Sequence, residues 1–443
     1  MSGIAQLFLC RGAKVSGSDL KQSKITDALQ AAGAKIFIGH NAENTNGAGL
    51  VVYSSAIKDD NPEIQQARKK NIPLIKRAQA LAELMQDKTV ITVTGSHGKT
   101  TTTSLVSCLL MEAGLNPTVA IGGILRNIEK NACFGNGKYF VAEADESDGS
   151  FLYYQPKYSI ITNIDHEHLD YYKDFKNVIN TFREFLNKTD NSGCVFCSSD
   201  DVNLGRILKE YKNKFILFGL NNKAQIYPKN IVMHELSSQF DCFYGDKFVS
   251  SFSLPLGGLH NISNALSVIA LGTELGIDTR FIKSALGNYK GAGRRIEIKF
   301  KNNDYLIIDD YAHHPTEIKA TLSALRNIKS NRLIAVFQPH RYTRTKLLFK
   351  EFTRAFDLAD RVVITDIYPA SEPPLEGITG ESLARQIKIN SGGKKVDFVP
   401  KEKISEYILN EIEPADLVVT LGAGDISKVN DELVEKIKRR NQA

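Results

Sequence analysis

Val90-Ile91-Thr92-Val93-Thr94-Gly95-Ser96-His97-Gly98-Lys99-Thr100-Thr101 is the stretch on which the fold turns. An apolar strand over 89–94 runs into a glycine loop, the loop ends in Lys-Thr, and an apolar helix follows over 105–113. That order is the context in which a phosphate-binding loop works. The glycines let backbone N–H groups face an anion, and the helix N-terminus stands behind them. Lys99 is placed to neutralise β- and γ-phosphates, and the Thr100 hydroxyl to bind Mg²⁺. Gly95, Ser96, His97, Gly98 and Thr101 complete the cradle. The common pattern has a glycine five residues before Gly98, where this chain has Val93, so the loop is a shortened T-G-x-x-G-K-T-T. The bland alternative is a glycine-rich surface turn.

Working outward, short apolar strands alternate with helical stretches almost throughout, which predicts βαβ units and an α/β fold with parallel or mixed sheets. Upstream, a strand is expected over 51–55, a helix over 61–70 with Pro62 in its first turn, and a short helix over 78–85. Gln86-Asp87-Lys88 is a polar break. Downstream, Asn288-Tyr289-Lys290-Gly291-Ala292-Gly293 is a second break, after which the alternation restarts. Strands are expected over 305–308, 333–337, 361–365, 396–399 and 417–421, with helices over 316–327 and 347–356 between them. Three domains follow, at 1–88, 89–290 and 291–443, the middle one built on the phosphate loop and the outer two Rossmann-like.

The first domain starts in the middle of its pattern. A helix over 4–10 and a strand over 14–19 ending in Asp19 form the back half of a Rossmann-like unit. The expectation is that an apolar strand and a glycine turn lie upstream of Met1, and that the 14–19 strand lacks a neighbour on one side.

Composition narrows the function classes. The 443 residues carry 56 Lys plus Arg against 50 Asp plus Glu, a formal charge of +6, too mild to argue for nucleic-acid binding. Hydrophobic content of 42% and charged content of 24% exclude bulk disorder. No apolar run approaches the ~20 residues of a membrane span. Six scattered cysteines without a framework fit a reducing cytoplasm. Cys194-Val195-Phe196-Cys197 is a lone C-x-x-C whose sulfurs would point to opposite faces of a strand.

Other clusters sit at strand ends. Glu143, Asp145, Glu146 and Asp148 place four carboxylates within six residues, suited to Mg²⁺ beside a phosphate loop. Asn163-Ile164-Asp165-His166-Glu167-His168-Leu169-Asp170 repeats the arrangement after another strand. Leu259-His260-Asn261-Ile262-Ser263-Asn264 opens a helix with amides and an imidazole. Arg294-Arg295 follows the glycine break. Asp309-Asp310-Tyr311-Ala312-His313-His314-Pro315-Thr316 and Phe337-Gln338-Pro339-His340-Arg341-Tyr342-Thr343-Arg344 put histidines and arginines at two strand ends, where open α/β sheets bind ligands. Guanidiniums suit forked carboxylate recognition. The structural alternatives are a solvated acidic loop, a capping cluster and satisfied loop histidines.

Taken in order, T-G-S-H-G-K-T-T, A-E-A-D-E-S-D, N-I-D-H-E-H-L-D, H-N-I-S-N, G-R-R, D-D-Y-A-H-H-P-T-E and F-Q-P-H-R-Y-T-R-T resemble the Mur ligase family over nearly the whole chain. The resemblance implies a UDP-sugar-binding domain, an ATP-binding centre and a Rossmann-like amino-acid-binding domain. The last two motifs are most similar to the member that joins L-alanine to UDP-N-acetylmuramate, using ATP and Mg²⁺ in the cytoplasm. By the same resemblance, Lys99 and Thr100 hold the ATP phosphates and Mg²⁺, with Glu143 and His168 as the other metal positions. His260, Asn261 and Asn264 match the adenine side. Lys99, Arg294 and His313 are the expected catalytic residues, and Arg295, His340, Arg341 and Arg344 the substrate-binding ones. Several sister ligases carry a modified lysine in the helix after the histidine segment; the matching place here is Thr181-Phe182-Arg183, in agreement with the alanine-adding member. The competing expectations are a ligase joining a recycled murein peptide to the same sugar nucleotide, and a non-catalytic nucleotide-binding protein.

Overall fold

The strand Thr89–Thr94 is buried along nearly its whole length because its β-branched residues lie inside a parallel sheet with both faces covered. In the computed structural model, which describes residues 1–54 and 56–442, it is flanked by Tyr139–Glu143 on one side and Tyr158–Ile161 on the other. Beyond Tyr158–Ile161 come Cys194–Ser198 and Phe215–Phe218, all parallel. Beyond Tyr139–Glu143 come Thr118–Leu125, parallel, and Lys130–Cys133, antiparallel at the edge. The chain leaves Thr89–Thr94 through the helix Lys99–Glu112, builds one side of the sheet, then crosses to the other. The carboxyl end of Thr89–Thr94 is therefore a switch point in the strand order, the place where open α/β sheets bind ligands.

The chain forms two compact units. The first comprises Met1–Pro228, Phe243–Val249 and Asn264–Leu286; the second Lys229–Cys242, Ser250–Ser263 and Gly287–Ala443. The strands Ile226–His234, Ser237–Tyr244 and Lys247–Leu254 and the helix Leu259–Glu274 are shared between them.

Within the first unit, the helix Ser2–Cys10 buries Ile4 and Leu7 in one core with Ala78, Leu81, Leu84 and Ala132. Ser16–Asp19 pairs in parallel with Lys35–Ile38, and Val51–Tyr53 with Leu74–Lys76, as two separate two-stranded sheets. Ser16–Asp19 thus has one strand neighbour among the described residues. Ser55, expected at the end of the 51–55 strand, lies outside the described residues.

The second unit holds a six-stranded sheet in the order Glu297–Lys301, Tyr305–Asp310, Asp416–Leu421, Leu333–Phe337, Arg361–Ile364, Lys395–Phe398. All neighbours are parallel except the opening hairpin. Alternate residues feed opposite faces. Ile308, Ala335, Phe337 and Val419 enter one core cluster, and Ile307, Ile334, Val336 and Val418 the other.

Two expectations need correction. The helix expected over 347–356 is two short helices, Tyr342–Leu347 and Phe349–Phe352, so helix begins five residues earlier, at the Arg341 turn. The strands between 226 and 254 were not anticipated. Cys194 and Cys197 are both buried in an interior strand as free thiols, and burial pushes the Cys194 thiol up to about 12.

Candidate phosphate, metal and carboxylate sites

Gly95 turns the chain out of its strand at φ +126°, and a Cβ there would collide with Thr162 Oγ1 and the Asn163 backbone. Gly98, at φ +82°, is the N-cap of Lys99–Glu112, and a Cβ there would come 2.7 Å from Asn264 Oδ1. Only glycine meets both demands. Between them, Ser96 Oγ accepts from Asp165 N–H at 2.8 Å, and His97 Nε2 lies 2.9 Å from Asp165 Oδ2. Thr100 and Thr101 are buried in the first turn of the helix.

The Lys99 ammonium donates to Gly95 O (2.6 Å), Ser96 O (3.1 Å) and Glu146 Oε1 (2.8 Å). Burial alone would lower its pKa; the carboxylates of Glu146, Asp145 and Glu167 outweigh that and raise it, so Lys99 is a permanent cation. His168 Nε2 lies 3.6 Å from Glu146 Oε1 and 3.4 Å from Glu167 Oε2. Burial lowers its pKa, but hydrogen bonds to those two carboxylates prevail and hold it at about 9.

Thr100 Oγ1 donates to Glu143 Oε1 at 3.1 Å, and Gly122 N–H donates to Glu143 Oε2 at 2.8 Å. Burial raises the Glu143 pKa, against the pull of Lys99. Asp145 is moved the other way: Lys99, Ser147 N–H and His168 overcome its burial and hold its carboxyl below the usual range.

The sequence expectation joined Thr100, Glu143 and His168 as metal positions. The structure pairs Glu143 with Thr100, and gathers Glu146 and Glu167 around His168. Those last three offer ligand atoms within 4.8 Å of one another. Glu146 Oε2 is buried and has no hydrogen-bond partner among the described residues. An orphaned buried carboxylate oxygen next to an imidazole and a second carboxylate is a donor set that fits a hard divalent cation. Glu146 is 1% exposed, and its backbone carbonyl accepts the Tyr172 hydroxyl. Neither Glu146 nor Glu167 was singled out from sequence. For Glu146 the spacing of four clustered acids could not rank them; for Glu167 the only signal was its place between two histidines.

The second unit carries a basic group of its own. Arg294, at φ +58°, donates from Nε to Asp309 (2.8 Å), from NH1 to Gly424 O (3.1 Å) and from NH2 to Gly422 O (2.6 Å). This guanidinium braces the chain after the glycine break against two strand ends. Arg295 lies 3.7 Å from Glu317, and both guanidiniums lie over the Tyr311 ring. His313 Nδ1 faces Tyr311 O at 3.0 Å and Glu317 Oε2 at 3.3 Å. The His340 ring stacks on Tyr368, sits edge-on to His313 and meets Arg344 NH1 at 3.2 Å through Nδ1. A guanidinium only donates, so that Nδ1 accepts and the proton sits on Nε2. Burial, then the charges of His313, Arg344 and Arg341, lower the His340 pKa to about 3. Arg341 takes φ +70° and donates its N–H to Tyr368 O.

His260 and Asn261 belong to the second unit and Asn264 to the first. Burial and then the Arg295 charge lower the His260 pKa to about 4, so its ring is neutral. Asn261 Nδ2 donates to Gly257 O at 2.8 Å. No helix of the described residues is long and apolar enough to cross a membrane.

The fold and these clusters can be set beside known proteins. Residues 1–89 match the Mur ligase family, catalytic domain; residues 93–272 the Mur ligase middle domain; and residues 294–424 the Mur ligase, glutamate ligase domain. A protein of Geotalea uraniireducens named UDP-N-acetylmuramate–L-alanine ligase is 45% identical over 99% of this chain and 96% of its own. The protein of that name from Aquifex aeolicus is 44% identical over 99% and 95%. The crystal structure of the UDP-N-acetylmuramate-alanine ligase of Thermotoga maritima superposes with a TM-score of 0.85 at 30% identity, covering 99% of this chain and 97% of that one. With family matches along the chain and relatives of this identity over its full length, the chain belongs to the Mur ligase family.

Proposed function

We propose that the chain joins L-alanine to UDP-N-acetylmuramate at the expense of ATP. The observation that carries the reading is the meeting of Lys99, at a phosphate loop, with the Glu146–Glu167–His168 cluster. The choice of substrates is supported by full-length relatives of that name at 44–45% identity. The muramate carboxylate attacks the γ-phosphorus of ATP, the bond to the ADP oxygen breaks, and an acyl phosphate forms. The alanine amine then attacks the acyl carbon, the amide bond forms, phosphate leaves and the amine loses its proton.

Lys99 offsets the charge that accumulates when a carboxylate approaches a phosphate. Thr100, Glu143, Glu146, Glu167 and His168 are the residues that would hold Mg²⁺, which when bound would neutralise phosphate oxygens. In this reading residues 1–88 take the sugar nucleotide, 89–290 ATP, and 291–443 the amino acid, with Arg341 and Arg344 on its carboxylate and His260, Asn261 and Asn264 on the adenine side. Arg294 acts as a brace, and Arg295 and His313 line the same basic group. The reaction belongs to the cytoplasm, where ATP is supplied.

A phosphate-release assay with ATP, Mg²⁺, UDP-N-acetylmuramate and L-alanine tests this. Release should require both the sugar nucleotide and L-alanine. Release that a murein tripeptide supports and L-alanine does not would replace the reading by peptide recycling.

A further inference from the structure

The phosphate loop is held in shape from outside, by the segment that follows the strand Tyr158–Ile161. Ser96 N–H donates to Asn163 O at 3.0 Å. His97 N–H donates to Asn163 Oδ1 at 2.9 Å, and Asn163 Nδ2 donates back to His97 O at 3.1 Å. One side-chain amide thus closes a ring of two hydrogen bonds with one residue's backbone. Thr162 Oγ1 adds a third contact, donating to His97 O at 2.6 Å.

We propose that Asn163 is a positioning residue for nucleotide binding, holding the Ser96–His97 backbone so that the phosphates are received by the helix N-terminus beyond it. The Ser96 and His97 amides point at Asn163, so they are not aimed at an anion. The first N–H groups of the helix Lys99–Glu112 have no partner within the helix. Gly98, at φ +82°, is the joint between the two stretches. If the His97 peptide turned, Gly98 would turn with it, and the helix amides and Lys99 would lose their common aim. With the Ser96 and His97 amides committed to Asn163, the loop has fewer amides to offer an anion, so the fixed orientation of the helix N-terminus carries more of the affinity.

The inference rests on the reading of this loop as a nucleotide site, and the test separates the two. ADP binding in Mg²⁺ is measured by titration calorimetry on the full chain with Asn163→Ala, Asn163→Asp and, as a control, Lys99→Ala. Asn163→Asp keeps the shape and the acceptor for His97 N–H but cannot donate to His97 O; it carries the test if the alanine variant does not fold. Both Asn163 variants should bind ADP about tenfold more weakly or worse, and raise KM for ATP while KM for L-alanine stays within about twofold. Lys99→Ala leaving ADP affinity unchanged would overturn the nucleotide reading itself. Weakening by Lys99→Ala with parental ADP affinity in folded Asn163 variants would overturn the positioning role alone. Equal rises in both KM values would overturn it too, since a general structural defect does not choose a substrate.

Discussion

His168 and Lys99 share one carboxylate, Glu146, and this sharing sets what each can do. Lys99 is tied to its own loop carbonyls as well, whereas His168 Nε2 lies against the Glu146 and Glu167 carboxylates, the group proposed above to hold Mg²⁺. Replacing His168 by Ala should raise the Mg²⁺ concentration for half-maximal phosphate release by about tenfold or more, with the melting temperature within a few degrees of the parent. An unchanged Mg²⁺ requirement would make His168 a loop residue. His340 is the opposite case, a ring kept neutral. Its pKa falls from 6.5 unfolded to about 3 folded, so the unfolded chain takes up a proton that the folded chain refuses. Its contribution to stability is complete above pH 6.5 and drains away as pH falls towards 3. In His340→Gln, the melting temperature should therefore fall less steeply than in the parent between pH 6.5 and 4; parallel profiles would refute the assignment. Residue type was legible here and partner choice was not. His168 and Lys99 stood out in the sequence, but Glu146 did not, because the chain bends after Tyr139–Glu143 and only that bend decides which of four acids is buried.

At the level of elements, the phosphate loop is a contact between two strand ends as much as a local motif. Gly95 must take φ +126° and let Thr162 and Asn163 close in. Gly95→Ala should destabilise the chain by about 2 kcal/mol or more. Gly17→Ala, in open space and without a left-handed φ, should stay within about 0.5 kcal/mol of the parent. Denaturant titration of the pair checks this, and equal midpoints would mean that the loop relaxes freely. Elements with continuous apolar runs were readable to within two residues: Leu333–Phe337 has the expected bounds, while Tyr305–Asp310 runs two residues past the expected 305–308. Ser237–Tyr244 and Lys247–Leu254 were not, because they are half-exposed and carry Asp241, Lys247 and several serines. Their signal was a period of two, Phe240 with Cys242 and Phe252 with Leu254, diluted by polar residues on the other face. The helix expected over 347–356 failed for a different reason: the backbone at Arg341, φ +70°, launches helix at Tyr342, and the apolar pattern alone cannot place such a turn.

For the whole molecule, the uneven weaving of the chain between its two units has a consequence for folding. The six-stranded sheet of the second unit is built entirely from strands between Glu297 and Leu421. Its two core clusters draw on residues from Ile296 to Ile437, with Leu236 the one earlier contributor among the described residues. Both faces of that sheet are covered by helices from the same stretch, so the apolar area it needs is already in it. The first unit has no such economy. Ala265, Leu266, Val268 and Ile269 are fully buried, and they reach the first unit only after the chain has passed through the second. A fragment of residues 287–443 should therefore unfold cooperatively on heating, with a mixed helix and strand circular dichroism spectrum. A fragment of residues 1–228 should bind a hydrophobic dye and melt without a sharp transition, because the sites vacated by the helix Leu259–Glu274 expose core surface. If 287–443 proved unfolded and 1–228 cooperative, the dependence would run the other way. The strands at 226–254 would then be what the C-terminal sheet folds upon.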